Sequence, residues 1–182
     1  MRALISLSQL IDKINEAIGK IVAWAIMASI LISTINAITR KAFNLSSNAW
    51  LEAQWYLFSA AFLLASAWTL MKGEHVRVDL LFGRMSRRSQ IIVDIIGTIF
   101  FLLPFCVIVV DLSWPVFLAK LASGETSNNT GGLLLWPAWA LIPAGYFLLG
   151  VQGLSELIKR FAYLTGALPD PVKLADETAA QL

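Results

Sequence analysis

Four stretches of this chain run without a charged residue for long enough to decide its fold: 21–39 (19 residues), 53–71 (19), 95–110 (16) and 126–155 (30, with its apolar part over 133–151). A hydrocarbon core of about 30 Å takes roughly 20 helical residues to cross, and every backbone group inside it needs a partner, so such runs read as helices. The third run is short, but Asp94 and Asp111 flank it and each can sit at a headgroup interface one turn further out. A closed barrel would show alternating segments of roughly ten residues, and the chain has none. Its 182 residues are 14% charged, against about 25% in a soluble domain. The expectation is an all-α integral membrane protein with four transmembrane helices, at about 20–40, 50–71, 89–114 and 133–160, in a single membrane domain over residues 1–165.

Basic residues set the orientation, because Lys and Arg are retained on the cytoplasmic side. With a cytoplasmic N-terminus, 11 of the 14 Lys and Arg fall inside, and only Arg40, Lys41 and Lys120 fall outside. Both termini are therefore expected in the cytoplasm. Trp50, Trp55, Trp114, Trp136 and Trp139 then mark outer helix ends, and Trp24 and Trp68 inner ones, as interfacial anchoring requires. In residues 4–18, Leu4, Leu7, Ile11, Ile14 and Ile18 recur at helical spacing opposite Ser8, Asp12, Lys13, Asn15 and Glu16. The pattern predicts an N-terminal amphipathic helix in the inner interface; the alternative is a cytoplasmic extension of the first span. Residues 166–182, polar and punctuated by proline, read as a mobile cytoplasmic tail.

Much of the chemistry is defined by what the sequence lacks. One cysteine, Cys106, cannot support thiol-disulfide exchange, and one histidine, His75, cannot supply a bis-histidine haem site or a zinc site. A self-contained transporter is expected to hold ionisable groups near the bilayer midplane. Here Glu52, Asp94, Asp111 and Glu156 all lie within about two turns of an expected helix end, which predicts spans without buried charge. Asn36 is the main deep polar residue and is expected to make an interhelical hydrogen bond. Pro104, Pro137 and Pro143 are candidates for bends in the third and fourth helices. The spans do offer close-packing faces: Ala61 with Ala65, and Ala140 with Ala144 beside Gly145, at the small-residue spacing that lets helices approach in lipid.

The segment "WLEAQWYLFSAAFLLASAWTLMKGEHVRVDLL", residues 50–81, resembles the small membrane subunit, DctQ type, of tripartite ATP-independent periplasmic (TRAP) transporters. The resemblance rests on an acid opening the second helix, Glu52, and a basic-Gly-x-His-Val-x-Val-Asp run closing it, from Lys72 and Gly73 through His75, Val76 and Val78 to Asp79. The Trp-Pro entry, mid-helix proline and amphipathic exit of residues 131–160 are also similar to the family's last helix, and the likeness extends over about residues 10–165.

The resemblance implies a non-catalytic small permease subunit of a sodium-driven secondary transporter for organic acids, in the bacterial inner membrane. It implies three partners: a large multispanning subunit, a periplasmic substrate-binding protein and membrane phospholipids, with no nucleic acid. Catalytic, cofactor and metal residues are then expected to be none in this chain, with sodium coupling in the large subunit. Trp50, Glu52 and Gln54 become candidate periplasmic or subunit contacts. Lys72, His75, Arg77, Arg84, Arg87 and Arg88 become candidate cytoplasmic lipid or subunit contacts, beside a short interfacial helix that presents Val78, Leu81, Phe82 and Met85. Ala61, Ala65, Ala140, Ala144 and Gly145 are the candidate helix-packing residues. The alternative is a free-standing integral membrane protein, an enzyme or small carrier, with an unrecognised site.

Overall fold

The computed structural model describes residues 2–45, 47–73 and 85–167. They form α1 (Arg2–Phe43), α2 (Asn48–Lys72), α3 (Arg87–Gly97), a π-helical turn (Thr98–Leu102), α4 (Leu103–Ser123) and α5 (Trp136–Leu164). No strand occurs among the described residues beyond an isolated antiparallel bridge between Thr126 and Leu134.

Across its 42 residues α1 has no proline and a single glycine, Gly19, and it rises about 63 Å, roughly twice a hydrocarbon core. It stops where Asn44 takes the left-handed conformation, at φ 54°. Residues 4–18 are its first turns, so they extend the first long helix rather than form a separate one. Their amphipathic pattern is present, but Leu4, Leu7, Leu10 and Ile14 are exposed while Ser8 and Asn15 are buried. The polar stripe faces the bundle.

α3, the π turn and α4 follow one another as a continuous 37-residue rod that outruns the expected 89–114. Pro104 has no N–H to offer the carbonyl four residues back, and the wider π turn just before it is how the helix absorbs that mismatch. Pro137 stands in the first turn of α5, where a missing donor costs nothing.

Three helices are long and apolar enough to cross a membrane: Ala3–Phe43, Arg87–Ser123 and Trp136–Leu164. α2, expected as a fourth span, is not among them. Its 25 residues reach about 37 Å, but Gln54, Tyr56, Ser59, Ser66 and Thr69 dilute its apolar character.

α5 is the central helix and buries nine residues, including Gly145, Gln152, Glu156 and Arg160. α1 and α2 pack on one side of it, and α3 and α4 on the other. The chain alternates direction: Ser29 Oγ donates to the Gln54 carbonyl at 3.0 Å, which sets α1 antiparallel to α2. Gly145 sits against Leu63, and a Cβ added there would stand 2.8 Å from the Leu63 carbonyl oxygen, so α2 and α5 approach backbone to backbone. Gly19 gives the Trp68 indole the same freedom of approach on α1, with a would-be Cβ 2.6 Å from the ring. Trp68 is thus half-buried against α1.

His75, Arg77 and Arg84, with Val78, Leu81 and Phe82 of the expected interfacial helix, lie outside the described residues, as does the tail from residue 168.

Candidate functional site

Two polar clusters occupy opposite ends of the bundle. The first forms around Glu52, in the second turn of α2, ahead of the uncharged 53–71 window and 4% exposed. Asn129 Nδ2 donates to its Oε1 at 2.8 Å and the Leu133 N–H to its Oε2 at 2.6 Å. These donors come from the loop between α4 and α5, which folds on itself: the Ser127 N–H donates to the Leu133 carbonyl at 2.9 Å and the Leu135 N–H to the Glu125 carbonyl at 2.9 Å. Asn48 Nδ2 holds the Thr130 carbonyl at 3.1 Å, and the Tyr56 hydroxyl holds that of Leu134 at 2.8 Å.

Adjacent glycines shape this loop differently. Gly131 takes φ 72°, which a side chain would resist. Gly132 supplies room: a Cβ there would come within 2.6 Å of Ser127 Cβ and 3.1 Å of Glu52 Oε1. Hydrogen bonds from the Ser127 side chain, the Leu133 N–H and the Asn129 amide, in that order, hold the Glu52 carboxyl below its ordinary value against the opposing effect of burial. A carboxylate saturated with donors makes a clamp for the loop.

The second cluster joins the start of α1 to the end of α5. Ser8 and Ser155 share a hydroxyl–hydroxyl bond of 2.7 Å, and Asn15 Nδ2 donates to Gln152 Oε1 at 2.7 Å. Asp12 Oδ1 accepts from Gln152 Nε2 at 2.8 Å and Ser155 Oγ at 2.9 Å, and Lys159 Nζ lies 3.0 Å from Asp12 Oδ2. Glu156 pairs with Lys159 and, at 3.2 Å, with Arg160, whose other nitrogen lies 3.4 Å from Asp94 Oδ2 on α3.

Gln152 and Ser155 are fully buried, and Glu156 and Arg160 nearly so. The expectation of a bundle without buried charge is corrected here: Glu156 and Arg160 do lie within about two turns of the end of α5, but α1 and α3 pack over that end through Asp12 and Asp94. Asn36 is buried, yet the interhelical amide bond belongs to Asn15. Asn15 Oδ1 has no partner among the described residues. Buried ion pairs add little net stability over an apolar packing, but removing one partner is costly because the other charge stays buried. The arrangement fixes α1, α3 and α5 in one register; among the described residues no group of three or more His, Cys, Asp or Glu could hold a metal ion.

The residues singled out from sequence divide between these regions. Trp50 is exposed, Gln54 is half-buried, and Glu52 turns inward to the loop. Lys72 is half-buried at the end of α2; Arg87 donates to Gln90 Oε1 at 2.9 Å, and Arg88 is exposed. Ala61 and Gly145 are buried, Ala65 and Ala140 half-buried, and Ala144 exposed. Sequence reasoning passed over Asp12, Asn15, Gln152, Ser155 and Lys159. The signal was the pair of matching polar stripes, Ser8, Asp12 and Asn15 against Gln152, Ser155, Glu156 and Lys159, each at helical spacing. It also passed over Asn129 and Gly132, whose partner lies 77 or more residues away.

A family model described as "Tripartite ATP-independent periplasmic transporters, DctQ component" matches residues 29–162. No curated protein and no solved structure matches the chain. The matched segment holds the whole Glu52 clamp and the α5 half of the second cluster, while Ser8, Asp12 and Asn15 precede it.

Proposed function

Because the chain belongs to the DctQ component family of the tripartite ATP-independent periplasmic transporters, we propose that it is the non-catalytic small subunit of a sodium-driven carrier of organic acids. It packs beside a large multispanning subunit as part of its fixed scaffold and helps seat the substrate-binding protein. The family match over residues 29–162 carries this reading. The engagement of Glu52, Asp12 and Glu156 within the chain's own fold supports it, since these carboxylates are held as structural ties.

In this reading α2 is a fourth span, both termini face the cytoplasm of a bacterial inner membrane, and the Glu52 clamp faces the periplasm. Trp50 and Gln54, beside that clamp, are then contacts for the binding protein or the large subunit. Lys72, Arg87 and Arg88 face anionic headgroups or the large subunit. The chain needs no cofactor, and sodium coupling resides in the large subunit.

The test is reconstitution. Co-expressed with the large subunit and extracted in mild detergent, the chain is expected to co-purify with it. In vesicles with the binding protein, uptake is expected only with both membrane subunits and a sodium gradient. Full uptake by the large subunit alone, with no co-purification of this chain, would overturn the reading.

A further inference from the structure

Among the described residues every acid but one has a partner within the chain: Asp12 with Lys159, Glu16 with Lys20, Glu52 with the 127–133 loop, Asp94 and Glu156 with Arg160, and Glu125 with Lys120. The exception is Asp111, which is exposed between Val110 and Leu112 on α4 and makes no hydrogen bond or ion pair with any described residue. It does not stand at a helix end. α4 runs on from it to Ser123, about 18 Å further.

Asp111 lines a groove of about 390 Å³ between α4 and α5, with Leu103, Cys106, Val107, Tyr146 and Gly150 among its other lining residues. Gly150 leaves the floor low: a Cβ there would stand 3.4 Å from Cys106 Cβ. The rod that carries Asp111 is also the least covered of the three membrane-capable helices, with 11% of its apolar window buried against 39% for α5.

We propose that this groove seats a transmembrane helix of the large subunit, which presents a Lys or Arg to Asp111. The inference rests on the subunit reading above and names the face through which the partnership is made. A carboxylate on an apolar helix is expensive in lipid and is kept where a cation meets it. A groove floored by a residue without a side chain accepts the ridge of a neighbouring helix. Both features fall on one face, and every other described acid already has a partner.

The experiment uses the assembled complex in its membrane. A photo-crosslinking residue at Val107 or Phe147, on the groove, is expected to couple to the large subunit, and one at Trp24, on the exposed face of α1, is not. Asp111→Lys is expected to lower the co-purified large subunit by about tenfold or more, Asp111→Asn by less, and a Lys or Arg→Asp exchange in the crosslinked helix to restore it. Adducts to phospholipid alone from Val107 and Phe147, or wild-type co-purification of Asp111→Lys, would overturn the proposal. The crosslinks are read on a chain with Asp111 intact, so misfolding of the charge variant does not obscure them. If the wild-type chain fails to co-purify, the subunit reading fails; if it co-purifies without these groove effects, only the inference does.

Discussion

At the Glu52 end, one carboxylate receives a backbone N–H, an amide and the Ser127 side chain from a loop that Asn48 and Tyr56 also tie to α2. At the Asp12 end, three acids and two bases share partners across three helices, and Asp12 and Glu156 each engage several donors. The clamp is specific and local, whereas the network is redundant and bears on helix packing. The difference teaches that burying an acid is not one structural device: what matters is whether its partners are replaceable, and whether they belong to a loop or to the bundle.

The largest effect is expected from Glu156→Ala, which removes an acid from between Lys159 and Arg160 and leaves each with one remaining acidic partner. A loss of about 3 kcal/mol is expected, at the low end for a broken buried pair, read as a lower unfolding midpoint in detergent. An unchanged midpoint would mean that the network's redundancy is complete and the comparison must be redrawn.

A smaller, local effect is expected at the clamp. Gly132→Ala drives a Cβ against Ser127 and Glu52, an overpacking of about 1–3 kcal/mol, and is expected to speed amide hydrogen exchange in residues 127–133 while leaving α5 protected. Acid reaches the same released loop by another route. The folded-state value of Glu52 is depressed below the ordinary 4.5, so its contribution is complete above the unfolded value and disappears as pH falls through the folded one. Protection of the loop that persists below that window would remove Glu52 as its anchor.

The smallest change is expected from Asn15→Leu. Asn15 gives one bond to Gln152 but already carries an unpartnered oxygen, and interhelical polar contacts in membranes average about 0.6 kcal/mol. A shift of about 1 kcal/mol or less in the same unfolding assay is expected; a loss as large as that of Glu156→Ala would place the weight of the network on its amides instead of its charges.

The helices themselves were legible because the absence of charge over 21–39, 95–110 and 133–151 leaves the backbone few ways to satisfy itself in lipid. Family membership was legible from the order of soft motifs around Glu52, Gly73 and the Trp-Pro entry of the last helix. The inward turn of residues 4–18 was not. Periodicity reports that a helix has two faces, and in lipid the apolar face need not be the buried one. The position of Asp111 was misjudged because the third helix was expected to end near residue 114, when α4 runs on to Ser123. The Glu52 clamp joins residues far apart in the chain, and no local pattern announces such a pair.

The ties between Ser8, Asp12 and Asn15 on the first helix and Gln152, Ser155 and Lys159 on the last have a consequence for biosynthesis. Segments emerge from the ribosome in order, N-terminus first, so the polar stripe of α1 is made long before the groups that satisfy it. Until α5 is delivered, Asp12 and Asn15 lack the partners they have in the finished bundle. The last helix to be made thus closes the structure that the first one opens.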